Sequence, residues 1–195
     1  MGRLIYSMGV SADGFTADRA GDFSWSPPGE EQFAFHTELV GELGGMIMGR
    51  RLYEAMLPWE TDASMRTSRP MEAFADIWTA IPKVVFSRTL DRVEGNARLA
   101  EASLAEEVAS MIAGTDGDVE IGGPGLARQA VEAGLIDEYR MFRCPVVVGG
   151  GTPYWPVVAE TIRLDFVETR TFSGGVVYER YVRRAAASVE SGASA

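Results

Sequence analysis

The chain has 195 residues, 46% of them hydrophobic, enough to bury one substantial core. Its formal charge of −10 and isoelectric point near 4.6 argue against nucleic acid or an anionic membrane as partner, though not against a phosphorylated ligand held by local arginines. No apolar run is long enough to span a bilayer or serve as a secretory leader, and the single cysteine, Cys144, cannot form an internal disulfide, so a cytoplasmic location is expected.

In chain order, Arg3 to Val10 reads as a strand that Ser11-Ala12-Asp13-Gly14 turns into a loop running through Gly21, Pro27, Pro28 and Gly29. Glu30 to Leu43 is predicted helical, because Phe35, Leu39 and Leu43 recur at helical spacing behind acidic first-turn residues. Gly44-Gly45 is expected to end that helix, with Met46 to Met48 a brief buried strand. Arg51 to Met56 reads as a short helix stopped by Pro58, Thr61 to Ser68 as an exposed loop, and Met71 to Thr79 as a helix closed before Pro82.

Lys83 to Ser87 is the next predicted strand, and Val93 to Leu99 a short strand or extended piece. Ser103 and Glu106 have capping-box spacing for a helix to about Ala113. A turn at Gly114 to Gly117 leads to the strand Asp118 to Ile121, then a helix from Pro124 to Ala133 stopped by Gly134. Asp137 to Val148 reads as extended, interrupted by Pro145 and broken by Gly149-Gly150-Gly151. Arg163 to Phe172 and Val176 to Arg183 form a hairpin candidate, and Ala185 to Ala195 a disordered tail. Alternating strands and helices followed by strands alone predict one α/β domain over residues 1–184: a mainly parallel sheet, helices on both faces, and an antiparallel C-terminal edge.

Three strand ends share a pattern: Met48-Gly49-Arg50-Arg51, Phe86-Ser87-Arg88 and Ile121-Gly122-Gly123-Pro124-Gly125-Leu126. Each joins an apolar run to small residues, arginine or a helix start, and ligands of open α/β sheets lie beyond such carboxyl ends. A phosphate-bearing ligand is therefore expected there. Arg50 and Arg51 stand where the helix dipole opposes their charge, and a bound phosphate would reverse that sign; a solvated pair facing Glu54 and Glu60 is the plainer account. Ser87-Arg88 is a candidate for a ribose and its 2′-phosphate, which would favour NADPH over NADH. Gly122-Gly123 lacks the GxGxxG spacing and is also explained by a tight turn.

Asp13 reads either as an Asx turn before glycine or as a carboxylate at the cleft mouth that orients substrate. Glu30 and Glu31 complement the dipole of their helix, His36 reads as a packed or solvated residue and not an acid catalyst, and Cys144 as core. Trp25, Phe35 and Tyr154 are candidate stacking walls for a substrate, with core packing as the alternative. No spacing of His, Cys, Asp and Glu suggests a metal site.

With these residues in view, the chain resembles the dihydrofolate reductase superfamily, in the branch containing the C-terminal reductase domain of bacterial riboflavin-biosynthesis proteins. The landmarks, in order, are Ser11 to Ala17, Met48 to Glu54, Pro82 to Leu90 and Ile121-Gly122-Gly123, extended by Asp137-Glu138-Tyr139 and Pro145 to Gly151. The resemblance spans about Arg3 to Arg183 and implies a three-layer dihydrofolate-reductase-like fold with NADPH as cofactor. It implies that Gly49, Arg50, Arg51, Ser87 and Arg88 handle the 2′-phosphate and pyrophosphate, with Gly122, Gly123, Pro124, Gly125 and Leu126 along the diphosphate. Backbone carbonyls from Val10 to Ala12 would face the nicotinamide, with Gly14 to Trp25 as a flap.

The resemblance also implies a homodimer and an acid near the start of the first helix, a place to which Glu30 or Glu31 falls close; Asp13 is the candidate for orienting substrate, with Glu31 second. The deaminase domain of the riboflavin enzymes has no counterpart in this sequence. The expected function is hydride transfer to a small pterin-like or ribosylaminopyrimidine-like heterocycle. The alternative is a non-catalytic nucleotide-binding protein that retains the fold and cofactor site.

Overall fold

A computed structural model describes residues 2–185, so the expected tail lies outside the described residues apart from Ala185. β1 (Leu4–Ser11) and the short β2 (Phe15–Ala17) lead through a long loop to α1 (Glu30–Gly41), β3 (Leu43–Gly49) and α2 (Arg50–Met56). The single-turn α3 (Pro58–Thr61) and a 3-10 turn (Ala63–Met65) precede α4 (Arg69–Ala80), β4 (Lys83–Phe86) and β5 (Ala97–Leu99). Next come α5 (Leu104–Ala113), β6 (Asp118–Gly122), α6 (Pro124–Glu132) and β7 (Glu138–Cys144). The chain then adds β8 (Thr152–Pro153) and the hairpin of β9 (Leu164–Thr171) and β10 (Val177–Arg183).

Eight strands form one sheet in the order β5-β4-β3-β6-β1-β7-β10-β9, parallel up to β7 and antiparallel across β10 and β9. On one face Val108 of α5 and Leu126, Ala127 and Ala130 of α6 pack on Leu4, Ile47, Ile121 and Tyr139. On the other, Phe74 and Trp78 of α4 and Tyr53 of α2 pack on Ile5, Met46, Met48 and Val85, while Phe35 and Leu39 of α1 cover Phe142 and Tyr178. This is the dihydrofolate-reductase-like three-layer fold, with the expected mostly parallel sheet and antiparallel C-terminal hairpin. Among the described residues no helix is long and apolar enough to cross a membrane.

The Ser103–Glu106 capping box forms as the spacing predicts. Elsewhere tertiary contacts move the boundaries. Gly44 and Gly45 do not end α1; they lie inside β3, and the register slips between Leu43 and Gly45. A Cβ on Gly44 would overlap Thr115, and one on Gly45 would meet Met111, so the glycines admit α5 and its exit loop against the strand. β7 stops at Cys144, before Pro145, which has no N–H to continue a ladder. The two-stranded sheet of β2 and β8 is too short to leave a sequence pattern.

A charged cluster ties the middle of the sheet together. The Glu138 side chain is fully buried and accepts from Arg3 Nη1 at 2.5 Å and Arg140 Nε at 2.7 Å. Arg180 Nε stands 2.9 Å from the same carboxylate, as an ion-pair contact whose angle is not that of a hydrogen bond. Removing Glu138 would leave the buried Arg140 without its carboxylate. Glu138→Ala is expected to lower unfolding stability by about 3–5 kcal/mol in urea titrations, whereas Asp165→Ala, which breaks only the exposed pair with Arg184, leaves the midpoint nearly unchanged.

Glu120, on β6 between Ile5 and Met46, is buried, and desolvation pushes its carboxyl up to about 7 against the opposing charge of Arg140. The folded state thus keeps a proton that the unfolded chain releases, so this residue's contribution to stability falls as pH rises from the ordinary carboxylate range to about 7. Glu120→Gln is expected to gain stability relative to the unaltered protein between pH 5 and pH 8, by up to about 3 kcal/mol, read from urea midpoints at both pH values.

Candidate functional site

The helices that follow the neighbouring strands β3 and β6 leave on opposite faces of the sheet, α2 on the side of Met46 and Val85 and α6 on the side of Ile47 and Ile121. Divergence of this kind opens a crevice at the strand carboxyl ends. The cleft there has a volume of about 690 Å³. Its wall includes Gly49, Arg50, Arg51, Ser87, Arg88, Gly123, Pro124, Gly125 and Leu126, so the three strand ends singled out in the sequence do meet. Gly122 lies just beneath, where a Cβ would overlap Leu52, and Gly123 has φ +90°, a conformation suited to glycine.

The arginines are not equivalent. Arg50 is engaged: its Nε donates to Glu54 Oε1 at 2.7 Å and its Nη1 to Thr89 Oγ1 at 2.6 Å. Arg51 and Arg88 are exposed on the cleft and, among the described residues, have no carboxylate partner. The Ser87 hydroxyl accepts from the Thr89 and Leu90 N–H groups at 3.1 and 3.0 Å, shaping the turn that presents Arg88. Thr89 went unrecognised in the sequence because its partner, Arg50, is 39 positions away.

The first strand contributes at a different depth from that expected. Met8 and Gly9 line the cleft, whereas Val10 is fully buried in the core and Ala12 is exposed, its N–H donating to the Val146 carbonyl at 2.7 Å. Thr16, Ala17, Gly21 and Phe23 of the expected flap, together with Thr152, close that end of the cleft. The three stacking candidates lie elsewhere. Tyr154 is buried, stacked on Tyr6 with ring centroids 4.4 Å apart, and its hydroxyl donates to the Tyr6 carbonyl at 3.0 Å. Phe35 packs among Phe142, Phe172 and Tyr178. Trp25 faces a separate cavity of about 180 Å³, which shares only Ser26 with the cleft.

The two acid candidates are also engaged away from the cleft wall. Asp13 accepts from Ser11 Oγ at 2.6 Å and from the Gly149 N–H at 2.8 Å, and these donors hold its carboxyl below the usual range. Glu31 pairs with Arg170 at 2.9 Å on the surface. The first-turn residue of α1 that turns inward is the next one, Gln32, which is buried and lines the smaller cavity with Cys144. The helical period could have signalled it, since Gln32 shares a face with Phe35 and Leu39. Burial raises the Cys144 thiol, and His36, stacked on Phe142 at 3.9 Å, is pulled below the usual imidazole value by desolvation. Among the described residues the cleft wall thus presents hydroxyls, backbone groups and arginines, but no carboxyl, imidazole or thiol.

Such a site suits an anionic, partly apolar ligand of dinucleotide size better than acid–base chemistry by side chains. Known proteins agree with the fold behind it. The uncharacterised protein YyaP of Bacillus subtilis is 29% identical over 182 residues, spanning 90% of this chain and 92% of that protein. A Shewanella sp. PV-4 protein provisionally assigned to riboflavin biosynthesis superposes with a TM-score of 0.74 at 22% identity, over 94% of this chain and 99% of that one. The dihydrofolate reductase of Enterococcus faecalis, solved with NADP(H), superposes with a TM-score of 0.63 at 17% identity, over 94% and 97% of the two chains. The family model for the RibD C-terminal domain matches residues 3–178, so the chain belongs to the RibD C-terminal domain family and is related to the reductase domains of bacterial riboflavin-biosynthesis deaminase-reductases.

Proposed function

We propose that this protein is an NADPH-dependent reductase that delivers hydride to a C=N or C=O carbon in the ring, or in an opened ribose, of a small heterocyclic substrate, pterin-like or ribosylaminopyrimidine-like. The observation that carries the reading is the convergence on one cleft of about 690 Å³ of the Gly123–Gly125 turn with Arg51 and Arg88, which have no carboxylate partner among the described residues. That volume suits a dinucleotide, and the donor set suits its phosphates. Arg51, Ser87 and Arg88 would hold the 2′-phosphate, with Arg50 braced alongside. The Gly123–Gly125 turn would let the pyrophosphate approach the backbone, and Met8 and Gly9 would border the nicotinamide.

When bound, NADPH supplies the hydride. The chain's own part is to bind, orient and exclude bulk water. Neither Asp13 nor Glu31 lines the cleft: Asp13 acts through the Gly149 turn that it holds, and Glu31, paired with Arg170 at the surface, is given no part in the transfer. Water then delivers the proton that accompanies the hydride. A homodimer, implied by the resemblance, is the proposed assembly.

The absence of an acid from the described cleft wall also favours a second reading, a protein that binds the nucleotide without turnover. Oxidation of NADPH on addition of dihydropterins, folates or ribosylaminopyrimidines decides between them; tight binding with no oxidation of cofactor by any of these supports the second.

The primary reading is tested by fluorescence titration of the purified protein with NADPH and NADH. Micromolar NADPH binding with a clear preference over NADH is expected, and binding of neither overturns it. Arg88→Ala and Arg51→Ala are each expected to weaken NADPH binding by about 1–3 kcal/mol, the scale of a lost charge-assisted hydrogen bond, and NADH binding by less. Arg50→Ala should cost less than either, because the Arg50 guanidinium already serves Glu54 and Thr89.

A further inference from the structure

We propose that Asp13 is a positioning residue: its carboxylate clasps the Gly149–Gly151 turn to the end of β1 and so fixes the cleft wall made by Thr16, Ala17 and Thr152. The inference rests on the cofactor reading of the cleft given above.

The contacts run in a closed circuit. Asp13 Oδ2 accepts the Gly149 N–H at 2.8 Å, while Oδ1 accepts the Val148 N–H at 3.2 Å and the Ser11 hydroxyl at 2.6 Å. Ser11 Oγ in turn accepts the Phe15 N–H at 3.0 Å. From the opposite side Arg19 Nη2 donates to the Gly149 carbonyl at 2.7 Å, so both polar groups of one peptide segment are held by charged side chains. The turn has no side chains with which to hold itself: Gly149, Gly150 and Gly151 have φ of +72°, +136° and +136°.

What the clasp holds is thin. β2 and β8 pair at only two positions, Phe15 with Pro153 and Ala17 with Thr152, with the register shifting between them. The Thr16 hydroxyl donates to the Thr152 carbonyl at 3.1 Å, and the Tyr154 N–H to the Gly14 carbonyl at 3.0 Å. A two-stranded ribbon of this length is not stable by itself. Its position therefore depends on two anchors in the chain before and after β8: the turn at Gly149, which Asp13 holds, and buried Tyr154, whose N–H meets Gly14. The inner side of the same ribbon is cleft wall beside β1, two strands from β3 and three from β4, the strands that Arg51 and Arg88 follow.

The test compares the unaltered protein with Asp13→Ala and Asp13→Asn. Each is titrated with NADPH and with adenosine 2′,5′-bisphosphate, and hydrogen exchange of the Val148 and Gly149 amides is followed alongside. In Asp13→Ala both amides are expected to exchange faster and NADPH to bind about 5- to 10-fold more weakly, the net scale of one ordinary hydrogen bond, since the clasp acts on the cofactor only through the wall. The bisphosphate, which reaches only the arginine end, should bind within about twofold of the unaltered protein, and Asp13→Asn, with one accepting oxygen, should fall between for NADPH. Faster exchange with unchanged NADPH affinity overturns the proposal, as does equal weakening of both ligands, which marks general loosening. If the unaltered protein binds neither ligand, the cofactor reading falls and takes this role with it. If it binds both and the variants match it, only the clasp falls.

Discussion

Parallel strands joined by right-handed crossovers must send their helices to one face or the other, and β3 and β6 are neighbours whose helices go opposite ways. The gap left at their carboxyl ends is a consequence of chain path, independent of the side chains that line it. What the sequence adds is the means to keep that gap open and narrow at its base. Gly122 lets Leu52 close under the cleft floor, where any larger residue would overlap it. The position of the arginines follows, because each sits one or two residues past a strand end that the sheet has already placed.

The other half of the sheet is organised by charge. β1, β7 and β10 meet at Glu138, whose buried carboxylate faces three guanidinium groups from three segments of the chain. Burying that many charges is costly unless each is matched, so the arrangement admits one register of these strands and penalises a slip by leaving an arginine unpaired. The apolar half, by contrast, is set by volume: Gly44 and Gly45 fit Thr115 and Met111 closely, and a larger side chain at either place would push α5 away.

Most of the fold was legible because its elements are long enough to show a period or carry chemical punctuation. The capping box at Ser103, the prolines at Pro58, Pro82 and Pro145, and the glycines after β6 and α6 each act through a local rule that sequence exposes. That Gly49 to Arg51, Ser87, Arg88 and Gly123 to Leu126 meet on one cleft was legible for the same reason, since strand ends are local features. The remainder depends on which way a side chain turns once packed. Glu31 and Gln32 are adjacent, yet one reaches Arg170 at the surface and the other is buried. Asp13 has partners 135 and 136 positions away, and Tyr154 reaches Tyr6 across 148. No window of sequence contains those pairs, so their side chains read as generic turn and aromatic residues.

The hairpin at the C-terminal edge carries a different consequence. β9 is exposed along nearly its whole length, and Val167 is the extra residue where its pairing with β10 shifts between Arg180 and Tyr181. An open strand edge invites a passing chain to add itself to the sheet, and the kink together with Asp165, Glu168 and Arg170 works against that. Among the described residues the sheet therefore ends at β9 without a covering helix, at an irregular, charged border.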